Sequence, residues 1–530
     1  MKPSEWCKFR VAFCCAAFML VLVSGARTQA QSGSYPMEVI SANHQDVSLP
    51  LRDVVPFAPD TGTQREHPLH PIHPLKANAT TPPDGAVQTN TSTALAATAG
   101  ANFEGLGQNE YGFTPNSAPP DTNASVGSTQ VVEWVNESFA IFNKSTGALV
   151  SGPITGNTLW SGFGGGCQTN NDGDPIVHFD RIAQRWVFTQ FSVSTTPYLQ
   201  CVAVSTTADA TGTYNRYSFQ MPNFPDYPKL GVWPDAYYMT FNMFSGNSFV
   251  GGRACALTSA AMQAGTAATA VCFQLSSSFG GLLPADLDGA TAPPAGSNEF
   301  FLNFGANSLN LWKFHVDFTN TNNSTFTGPT NLAVATFSEA CGGGACIQQA
   351  GTSQQLDSLG DRLMYRLAYR NFGTHQTMVA AHSVRVGTSR KNPYTGVRWY
   401  EIRSPGGTPA IYQQSTYSPD ATFRWMPSIA MDKAGDIAVG YSASSSAIHP
   451  AVRYTGRVPS DPLGTLGTEN SIIEGTGSQT RSLNRWGDYS SMALDPSDDC
   501  TFWYANEYIA SDGTFNWHTR LASFKFPTCQ

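Results

Sequence analysis

Residues 424–432 read Arg-Trp-Met-Pro-Ser-Ile-Ala-Met-Asp, and the same order of residue types returns at 485–495 as Arg-Trp-Gly-Asp-Tyr-Ser-Ser-Met-Ala-Leu-Asp. Each copy continues through an Asp or Gly turn into an apolar run, at 437–441 and at 500–504. Such a unit predicts a buried strand, a tight turn and a second strand. A repeat of about 60 residues is typical of a propeller or solenoid, because one small sheet cannot bury both of its faces alone.

The strand part of this unit occurs a third time earlier in the chain. The ranges 175–180, 427–432 and 490–495 each begin with Pro or Ser and end with an Asp five positions later. With the other strand-like segments, units begin near 121, 174, 228, 300, 361, 427 and 488. The sequence therefore predicts an all-β fold, a β-propeller of seven four-stranded blades, with six or eight blades as alternatives. A two-layer sandwich is disfavoured because its strands recur every ~8–12 residues without a longer repeat.

The composition of the 530 residues fits many short strands joined by turns. Gly (48) and Pro (34) are plentiful and supply turn conformations, while charged residues make up only 13%. The net charge of −8 comes without any basic stripe. This argues against nucleic acid as a partner, because no cationic surface would neutralise the phosphates.

The N-terminus reads as a secretory signal peptide over residues 1–30, with basic residues before an apolar run from Val11 to Val23. That run is too short to cross a bilayer, so we expect no membrane span after its removal. Residues 31–102 are rich in Pro and Thr and predict a disordered leader or spacer, followed by the propeller domain over 103–530. These features predict a protein that is secreted, periplasmic or held at the cell surface.

The leader contains His-Pro-Leu-His-Pro-Ile-His-Pro at residues 67–74. Three imidazoles at three-residue spacing lie along one edge of a polyproline helix, which permits weak metal binding. The favoured interpretation is a Pro-rich linker in which His is a polar filler.

Eight cysteines remain after the signal peptide, and their even number together with export predicts disulfide bonds. Pairing between sequence neighbours would staple one blade or hairpin each, although the spacing alone leaves the connectivity open. A structural zinc site is disfavoured because no pair has the C-x-x-C spacing. The preferred pairs are Cys167–Cys201, Cys255–Cys272, Cys341–Cys346 and Cys500–Cys529.

The loops that lead into the innermost strands of a propeller gather at one mouth of its central channel. Here those loops hold Asp121, Asp174, Asp226, Asp361, Arg362, Arg424, Arg485 and Asp488. Carboxylates paired across such a mouth suit general acid and base chemistry on a glycosidic bond. This makes Asp174, Asp361 and Asp488 the candidate catalytic residues.

Arginines from adjacent blades can clamp a carboxylate or sulfate group with paired hydrogen bonds, and Trp rings can stack on sugars. The candidate substrate-binding residues are therefore Arg362, Arg424, Trp425, Arg485 and Trp486. The structural alternative is that the Asp residues cap turns and that Arg packs flat on Trp between blades. Asp432 and Asp495, at the opposite ends of the inner strands, are predicted to be turn residues.

Asn170, Asp172 and Asp174 place side-chain oxygens at alternate positions around a glycine, an arrangement that suits calcium. The alternative is an Asx-rich turn held by the predicted Cys167–Cys201 disulfide, since the last acidic ligand of an EF-hand is absent. No other cofactor is predicted. The sequence also lacks the motifs of serine hydrolases, zinc proteases and phosphate-binding loops.

Residues 511–517, Ser-Asp-Gly-Thr-Phe-Asn-Trp, are similar to the Asp-box turn of sialidase-like propellers. Together with the repeat over 103–530, this stretch makes the chain resemble the secreted bacterial β-propellers of the sialidase-like superfamily. The resemblance implies inner-strand acidic, Tyr and Arg residues that bind or hydrolyse glycans. The turn lacks one residue of the Asp-box and has no second copy, and the Arg-Ile-Pro segment of sialidases is absent. No catalytic residue is therefore carried over, and activity on sialic acid is not expected.

Two hypotheses about function follow. The first is an exported propeller whose mouth binds an extracellular polysaccharide and cleaves it, as a glycoside hydrolase or a polysaccharide lyase. The second is a non-catalytic cell-surface or matrix module that binds another protein, with the leader as its spacer. The expected partner is accordingly an extracellular glycan or a surface protein, and a pair of solvent-accessible carboxylates would favour the first hypothesis.

Overall fold

The computed structural model describes residues 35–58, 64–73, 83–89, 97–387 and 394–530. The predicted signal peptide lies outside these ranges. Five strands precede the repeated part of the chain: β1 (Met37–Ser41), β2 (His44–Val47), β3 (Arg65–Glu66), β4 (Thr98–Gly107) and β5 (Ser117–Ala118).

The following strands form antiparallel meanders of four strands each. The first meander has β6 (Asn123–Val126), β7 (Gln130–Val135), β8 (Ser138–Asn143) and β9 (Leu149–Thr155). The second has β10 (Ile176–Asp180), β11 (Arg185–Ser192), β12 (Leu199–Ser205) and β13 (Tyr214–Gln220). The third has β14 (Phe224–Val232), β15 (Tyr237–Ser245), β16 (Ser248–Leu257) and β17 (Thr269–Gln274).

The fourth meander has β18 (Leu283–Asp288), β19 (Glu299–Gly305), β20 (Ser308–His315) and β21 (Thr325–Ala333). A small two-stranded sheet, β22 (Ala345–Ile347) and β23 (Leu356–Asp357), comes next. The fifth meander has β24 (Met364–Asn371), β25 (Gln376–Arg385), β26 (Thr395–Arg403) and β27 (Ala410–Tyr417).

The sixth meander has β28 (Phe423–Met431), β29 (Ile437–Ser445), β30 (Ile448–Arg457) and β31 (Asn470–Ile473). The last three strands are β32 (Ser491–Leu494), β33 (Phe502–Ile509) and β34 (Trp517–Lys525). The helices are α1 (Gly165–Thr169), α2 (Ser259–Ala264) and the single 3-10 turns Leu51–Asp53, Glu110–Gly112, Gly156–Trp160, Thr321–Asn323 and Ala340–Gly343. With at most six residues, no helix in the described ranges could reach across a bilayer.

The first strand of each meander contacts the first strand of the next in a closed cycle. The order of contact is β6, β10, β14, β18, β24, β28, β32 and back to β6. The meanders therefore radiate from a common axis as blades, which confirms the predicted all-β propeller. Each blade is apolar on both faces because it packs against a blade on either side, as in β28, where all nine residues are buried.

The inner strands are joined to one another mainly through side chains. The Asn123 carboxamide oxygen accepts a hydrogen bond from the Val177 N–H at 2.7 Å. The Ser428 hydroxyl accepts one in the same way from the N–H of Met492 at 2.9 Å. An inner strand exposes one backbone edge to the channel, and these small polar side chains satisfy its N–H groups. The pair β18 and β24 differs, since these two inner strands form a parallel ladder.

The N-terminal strand β4 closes the ring. It pairs antiparallel with β34 and so supplies the fourth strand of the last blade, whose other three strands come from the C-terminus. Leu106 of β4 is fully buried in the core cluster of the propeller, and its N–H donates to Glu133 of β7 at 2.8 Å. The start of the propeller is therefore Thr98, five residues before the predicted boundary at 103.

Parts of the segment predicted to be a disordered leader are ordered. Strand β1 pairs with β17 and β2 pairs with β13, so each covers the outer edge of a blade. Arg216 forms an ion pair with Asp46 of β2 at 2.6 Å. The sequence gives little sign of these strands because they are short and have one exposed face, and their order comes from pairing with an edge that needs a partner.

The fourth blade begins earlier than predicted. Its inner strand is β18, whereas the sequence pattern placed the start near residue 300, where β19 lies. The error arose because β18 carries two buried aspartates that hide its apolar pattern. Arg366 of β24 donates to Asp286 and to Asp288, at 2.9 Å in each case, and this pairing makes their burial tolerable.

All four preferred disulfides are present: Cys167–Cys201, Cys255–Cys272, Cys341–Cys346 and Cys500–Cys529. The turn roles predicted for Asp432 and Asp495 are also confirmed. The Asp432 carboxylate accepts the N–H groups of Ala434 and Asp436, both at 2.9 Å. Asp495 accepts the N–H of Ser497 at 2.9 Å. Each Asp therefore caps the turn after its inner strand.

Ring closure by β4 predicts a stability difference between two substitutions on that strand. Leu106→Ala should lower the free energy of unfolding by about 2–5 kcal/mol, because it removes a fully buried side chain where the ring closes. Thr98→Ala, at the exposed end of β4, should change it by less than about 0.5 kcal/mol. Urea unfolding followed by Trp fluorescence measures both. Equal effects would mean that β4 does not hold the ring closed.

Candidate functional site

A cluster of ionisable and Tyr side chains lies where the inner strands begin. Its members come from loops and strand starts of several blades, and we refer to them together as the mouth cluster. The mouth cluster consists of Asp121, Asp174, Asp226, Tyr227, Lys229, Asp361, Arg362, Arg485, Asp488 and Tyr489. All are buried except Asp174, which is half-buried. Their convergence agrees with the expectation that equivalent positions of different blades meet at one mouth.

The backbone is unusual at three positions of the mouth cluster. Asp121, Asp174 and Tyr227 have positive φ angles of 49°, 47° and 55°. This left-handed conformation is uncommon for residues other than glycine; it occurs just before β6 and β10 and, at Tyr227, within β14. As a result the side chains at these points depart from the alternation of the strand.

Arg485 joins two carboxylates at one side of the cluster. Its guanidinium donates to Asp357 Oδ2 at 2.7 Å and forms a second ion pair with Asp488. The backbone N–H of Asp488 in turn donates to Asp121 Oδ1 at 2.6 Å. The loop before β32 is therefore bound to the loop before β6, across the point where the ring closes.

Arg362 and Lys229 lie against aromatic rings on the other side. Arg362 forms an ion pair with Asp361 at 2.7 Å, and its guanidinium lies 4.6 Å from the centroid of the Tyr227 ring. The Lys229 ammonium lies 3.4 Å from the Tyr227 centroid and 4.0 Å from that of Tyr489. Cations over ring faces are stabilised by the ring quadrupole, which offsets part of the cost of burying them.

The carboxyl groups of the mouth cluster differ in the direction in which their pKa values are shifted. Burial raises the pKa of Asp174 to about 7, and the neighbouring carboxylates of Asp226 and Asp488 add to the shift. Burial also raises the pKa of Asp121 well above its ordinary value. Although burial opposes it, the guanidiniums of Arg485 and Arg362 lower the pKa of Asp488. Near neutral pH, Asp488 is thus ionised while Asp174 exchanges a proton, a division of roles that acid and base catalysis uses.

The buried amine of Lys229 titrates in the same range. Burial lowers the pKa of Lys229 to about 7, and the attraction of Asp174 and Asp488 offsets this only in part. In the part of the chain that the structure describes, Lys229 forms no ion pair within 4.0 Å, and its ammonium donates to the Pro228 carbonyl at 2.9 Å. A lysine that is partly neutral near pH 7 is able to act as a base.

Residues 65–73 of the leader lie over the mouth cluster, and we call them the covering segment. Arg485 Nε donates to the His67 carbonyl at 3.0 Å, and Arg362 Nη2 donates to the His70 carbonyl at 3.0 Å. The Ile72 N–H donates to Asp361 Oδ2 at 3.1 Å. The Pro-rich segment that the sequence presented as a linker is therefore bound to the cluster.

Most of the predicted site residues belong to the mouth cluster. The predicted catalytic residues Asp174, Asp361 and Asp488 all lie in it, as do Arg362 and Arg485 from the predicted binding set. Asp361 is held between Arg362 and the Ile72 N–H, so its oxygens already have donors. These residues meet in space, while their roles remain predictions.

Arg424, Trp425 and Trp486 were wrongly predicted as substrate-binding residues. The Arg424 guanidinium is engaged in ion pairs with Glu469 at 2.6 Å and with Asp420 at 2.9 Å. Both indoles are fully buried, and their centroids lie 5.6 Å apart between adjacent blades. No face of either ring is open to a sugar, and the two indoles pack on each other between blades, whereas the structural alternative expected Arg to pack flat on Trp.

The side chains proposed for calcium are engaged separately. Asp172 accepts the N–H groups of Val193 at 2.6 Å and Ser194 at 2.8 Å, and also the Ser194 hydroxyl. Asn170 donates from its amide nitrogen to two hydroxyl groups, and Asp174 accepts the Tyr227 N–H at 3.0 Å. With the Asp172 oxygens occupied by three donors, the geometry favours an Asx-rich turn beside the Cys167–Cys201 disulfide over a calcium site.

One other group of possible metal ligands occurs among the described residues. The ligand atoms of Glu104, Glu110 and His518 lie within 4.8 Å of one another, beside the pairing of β4 with β34. Glu104 already forms an ion pair with Arg520 and accepts the Tyr508 hydroxyl at 3.0 Å. The group is therefore part of a hydrogen-bonded network at the edge of the last blade.

Four features of the site were not predicted from the sequence: Lys229, Tyr227, Tyr489 and the covering segment. A signal for Lys229 exists, because it is the single basic residue of β14 and stands between Pro228 and Leu230. The two tyrosines follow Asp226 and Asp488 directly, so they share the position that marked the aspartates. Nothing in the local sequence of residues 65–73 indicates where the segment binds.

Comparisons with known proteins bear on the architecture alone. No protein-family model matches the chain. No curated protein matches it either. None of this is specific to the sialidase-like superfamily, so that resemblance holds only for the propeller fold.

Several solved structures are similar to the chain, and three examples show how low the sequence identity is. An α-L-arabinofuranosidase from Fusarium graminearum has 9% identity and a TM-score of 0.33, over 84% of this chain and 98% of that one. An ulvan lyase of polysaccharide lyase family PL25 has 10% identity and a TM-score of 0.28, over 79% and 81%. The WD40 domain of SCAP from fission yeast has 10% identity and a TM-score of 0.29, over 75% and 82%. Similarity at this level carries no argument about activity.

The raised pKa of Asp174 predicts a specific dependence of stability on pH. Its folded-state pKa of about 7 lies above the ordinary 3.8, so the stabilisation from the protonated form is complete below 3.8 and is lost as pH rises through 7. We expect Asp174→Asn, which stays neutral, to lose less stability than the wild type between about pH 4 and 8. Urea unfolding across this range tests the difference.

A matched control is Asp53→Asn, which changes an exposed aspartate outside the cluster. Its stability profile should follow that of the wild type at every pH. If the free energy of unfolding changes with pH in the same way in Asp174→Asn and in the wild type, the Asp174 carboxyl group does not have the environment described above.

Proposed function

We propose that this protein is exported and that its mouth cluster binds an extracellular anionic polysaccharide and cleaves it. One observation carries the proposal: a cluster of buried charges in which the pKa of Asp174 and the pKa of Lys229 are both shifted to about 7. Burying so many ionisable groups costs stability, and such clusters are concentrated at functional sites. The four disulfides are consistent with an oxidising compartment.

The proposed binding step uses Arg485 and Arg362. Each guanidinium already donates to a backbone carbonyl of the covering segment, so each has a donor directed at the space above the cluster. Planar guanidinium groups match carboxylate and sulfate oxygens better than an ammonium does. A polysaccharide with uronate or sulfate groups would bind to these donors once the covering segment has moved.

The proposed cleavage step uses Asp174 and Asp488. In a hydrolysis, Asp174 would give its proton to the glycosidic oxygen, while the Asp488 carboxylate would act as the base or nucleophile. In a lyase reaction, neutral Lys229 would remove the proton beside a uronate carboxylate, and the glycosidic bond would break by elimination. Asp361, with both oxygens engaged, is assigned a positioning role for Arg362.

The second candidate function is a non-catalytic module that binds an extended peptide from a surface protein. The observation in its favour is the covering segment itself, whose backbone groups bind Arg485, Arg362 and Asp361. In this case the mouth cluster would recognise peptide carbonyl groups, and the shifted pKa values would have no catalytic use.

Cleavage is tested with purified protein carrying Ile72→Asp, which loosens the covering segment. Polygalacturonate, heparin and uncharged dextran serve as substrates, and both reducing ends and unsaturated ends are measured. Adding Asp174→Asn should lower turnover of the charged substrate by about 10²–10⁴-fold if Asp174 transfers a proton. Unsaturated ends would identify a lyase reaction.

Binding is tested in the same background with Arg485→Lys. This change keeps the charge but removes the paired donors, and we expect the affinity for the charged polysaccharide to fall about tenfold or more. Arg52→Lys, on an arginine whose side chain is 55% exposed, should leave affinity unchanged. Binding without turnover in every variant would favour the second candidate function.

A further inference from the structure

We propose that residues 65–73 are an intramolecular ligand of the mouth cluster, so that the protein is latent until this covering segment is displaced. The inference rests on the proposed function, because it concerns access to the same site. It assigns a role to a segment whose sequence indicates only a linker.

The covering segment uses the donors and acceptors that a ligand of the mouth would need. The guanidiniums of Arg485 and Arg362 donate to its carbonyl groups at residues 67 and 70, each at 3.0 Å. Its N–H at residue 72 donates to Asp361 at 3.1 Å. Because these side chains cannot serve two ligands at once, a polysaccharide and the covering segment exclude each other.

Ile72 is the apolar anchor of the segment. Its side chain is only 5% exposed. It packs on the turn at Gly280 and Gly281, where a Cβ on Gly281 would lie 3.2 Å from Ile72 Cδ1. Glycine at this turn therefore leaves the space into which the isoleucine fits. Burying this side chain stabilises the docked state because it removes apolar surface from water.

His70 is a second anchor, with both an apolar and a charged contact. Its ring centroid lies 5.2 Å from that of Phe224 and 5.4 Å from that of Phe244. Its Nδ1 lies 3.2 Å from Asp226 Oδ1. The imidazole thus fills an aromatic recess and, when protonated, adds a positive charge to a cluster that is rich in carboxylates.

The N-terminal end of the segment is tied to the propeller by charged groups. Arg65 forms an ion pair with Glu137 at 2.6 Å. Glu66 accepts the N–H groups of Asn484 and Arg485, both at 3.1 Å. Strand β3 also makes a short parallel pairing with β5. The segment is therefore fixed at both ends as well as at the mouth arginines.

Displacement of the segment does not require the blades to unfold. No disulfide holds it, since the bonded cysteines all lie at or after residue 167. Its only ladder is the two-residue pairing of β3, and Arg65, Glu66 and Pro68 are exposed. An extended Pro-rich chain has no internal hydrogen bonds to break, so losing a few anchors is sufficient to release it.

The decisive experiment uses the full chain with Ile72→Asp, which places a carboxylate in the apolar recess beside Asp361. The matched control is Pro68→Ala, on an exposed residue of the same segment. Hydrogen exchange of peptides that span residues 64–73 should be at least about tenfold faster in Ile72→Asp and unchanged in the control. Where Ile72→Asp fails to fold, His70→Ala provides the second loosened variant.

Two binding measurements follow on the loosened variant. A synthetic peptide of residues 65–73 should bind it and not the wild type, and a scrambled peptide should bind neither. At least one of the two polysaccharides, polygalacturonate or heparin, should bind the loosened variant at least about tenfold more tightly than it binds the wild type. The peptide should compete with that polysaccharide for binding.

The outcomes separate this inference from the proposed function. If the peptide binds the loosened variant and no polysaccharide does, the covering segment is a ligand of the mouth and the proposed glycan function fails. If polysaccharide binds the wild type and the loosened variant equally, the glycan function stands and latency is overturned. If exchange over residues 64–73 is as fast in the wild type as in Ile72→Asp, the segment is not docked and the inference is overturned.

Docking of the segment should also depend on pH through His70. The hydrogen bond to Asp226 raises the pKa of His70 above its ordinary 6.5, and Asp174 and Asp488 contribute in the same direction, while Arg362 donates to the His70 carbonyl. The stabilisation by the protonated imidazole is complete below 6.5 and is lost as pH rises through the raised pKa. The 65–73 peptide should therefore bind the loosened variant more weakly at pH 8 than at pH 5.5, as measured by calorimetry. A peptide with Ala in place of His70 should lose this difference, and an equal pH effect would exclude His70 as its source.

Discussion

Except where β18 and β24 pair, the innermost strand of a blade has one backbone edge that no β-ladder covers, and the rest of the structure depends on how that edge is satisfied. Small polar side chains from the neighbouring blade accept its N–H groups, as Ser125 does for Phe179 at 3.0 Å and Ser428 for Met492 at 2.9 Å. An unpaired buried N–H would cost about 1–3 kcal/mol, and the penalty would recur around the ring. The repeated Ser and Asn positions are therefore a requirement of closure, and their polarity has no bearing on ligands.

At the mouth the same requirement is met by carboxylates, and this produces the electrostatics of the site. Asp121 accepts the Asp488 N–H at 2.6 Å, and Asp174 accepts the Tyr227 N–H at 3.0 Å, so both acids join loops of different blades. Bringing acids together in a buried place raises the pKa of Asp174 and calls for Arg485 and Arg362 as counter-charges. The groups that hold the ring closed at this end are thus also the groups proposed to act on a ligand.

The repeat in the sequence was sufficient to predict the propeller and the place where most of the site residues meet, while the disulfides followed from the even number of cysteines and a preference for sequence neighbours. These features are encoded locally, by strand composition and by Asp turns such as that at Asp432. The covering segment, the ring-closing strand β4 and the inner strand β18 could not be read in this way. Their order depends on partners far away in the chain, as the two buried aspartates of β18 depend on Arg366. The Arg-Trp pair at 424–425 misled the prediction because adjacent blades use the same residue types for packing.

The closing strand β4 also determines when the fold can be completed. Gly107 of β4 pairs with His518 of β34, about 400 residues later in the chain. Until the last strand has been made, the final blade lacks a strand and the outer edges at both ends of the ring are unpaired. A chain of this topology cannot finish folding while it is being synthesised or threaded through a membrane. It reaches its stable form only after the last strand has emerged, and the Cys500–Cys529 disulfide can form only at that stage.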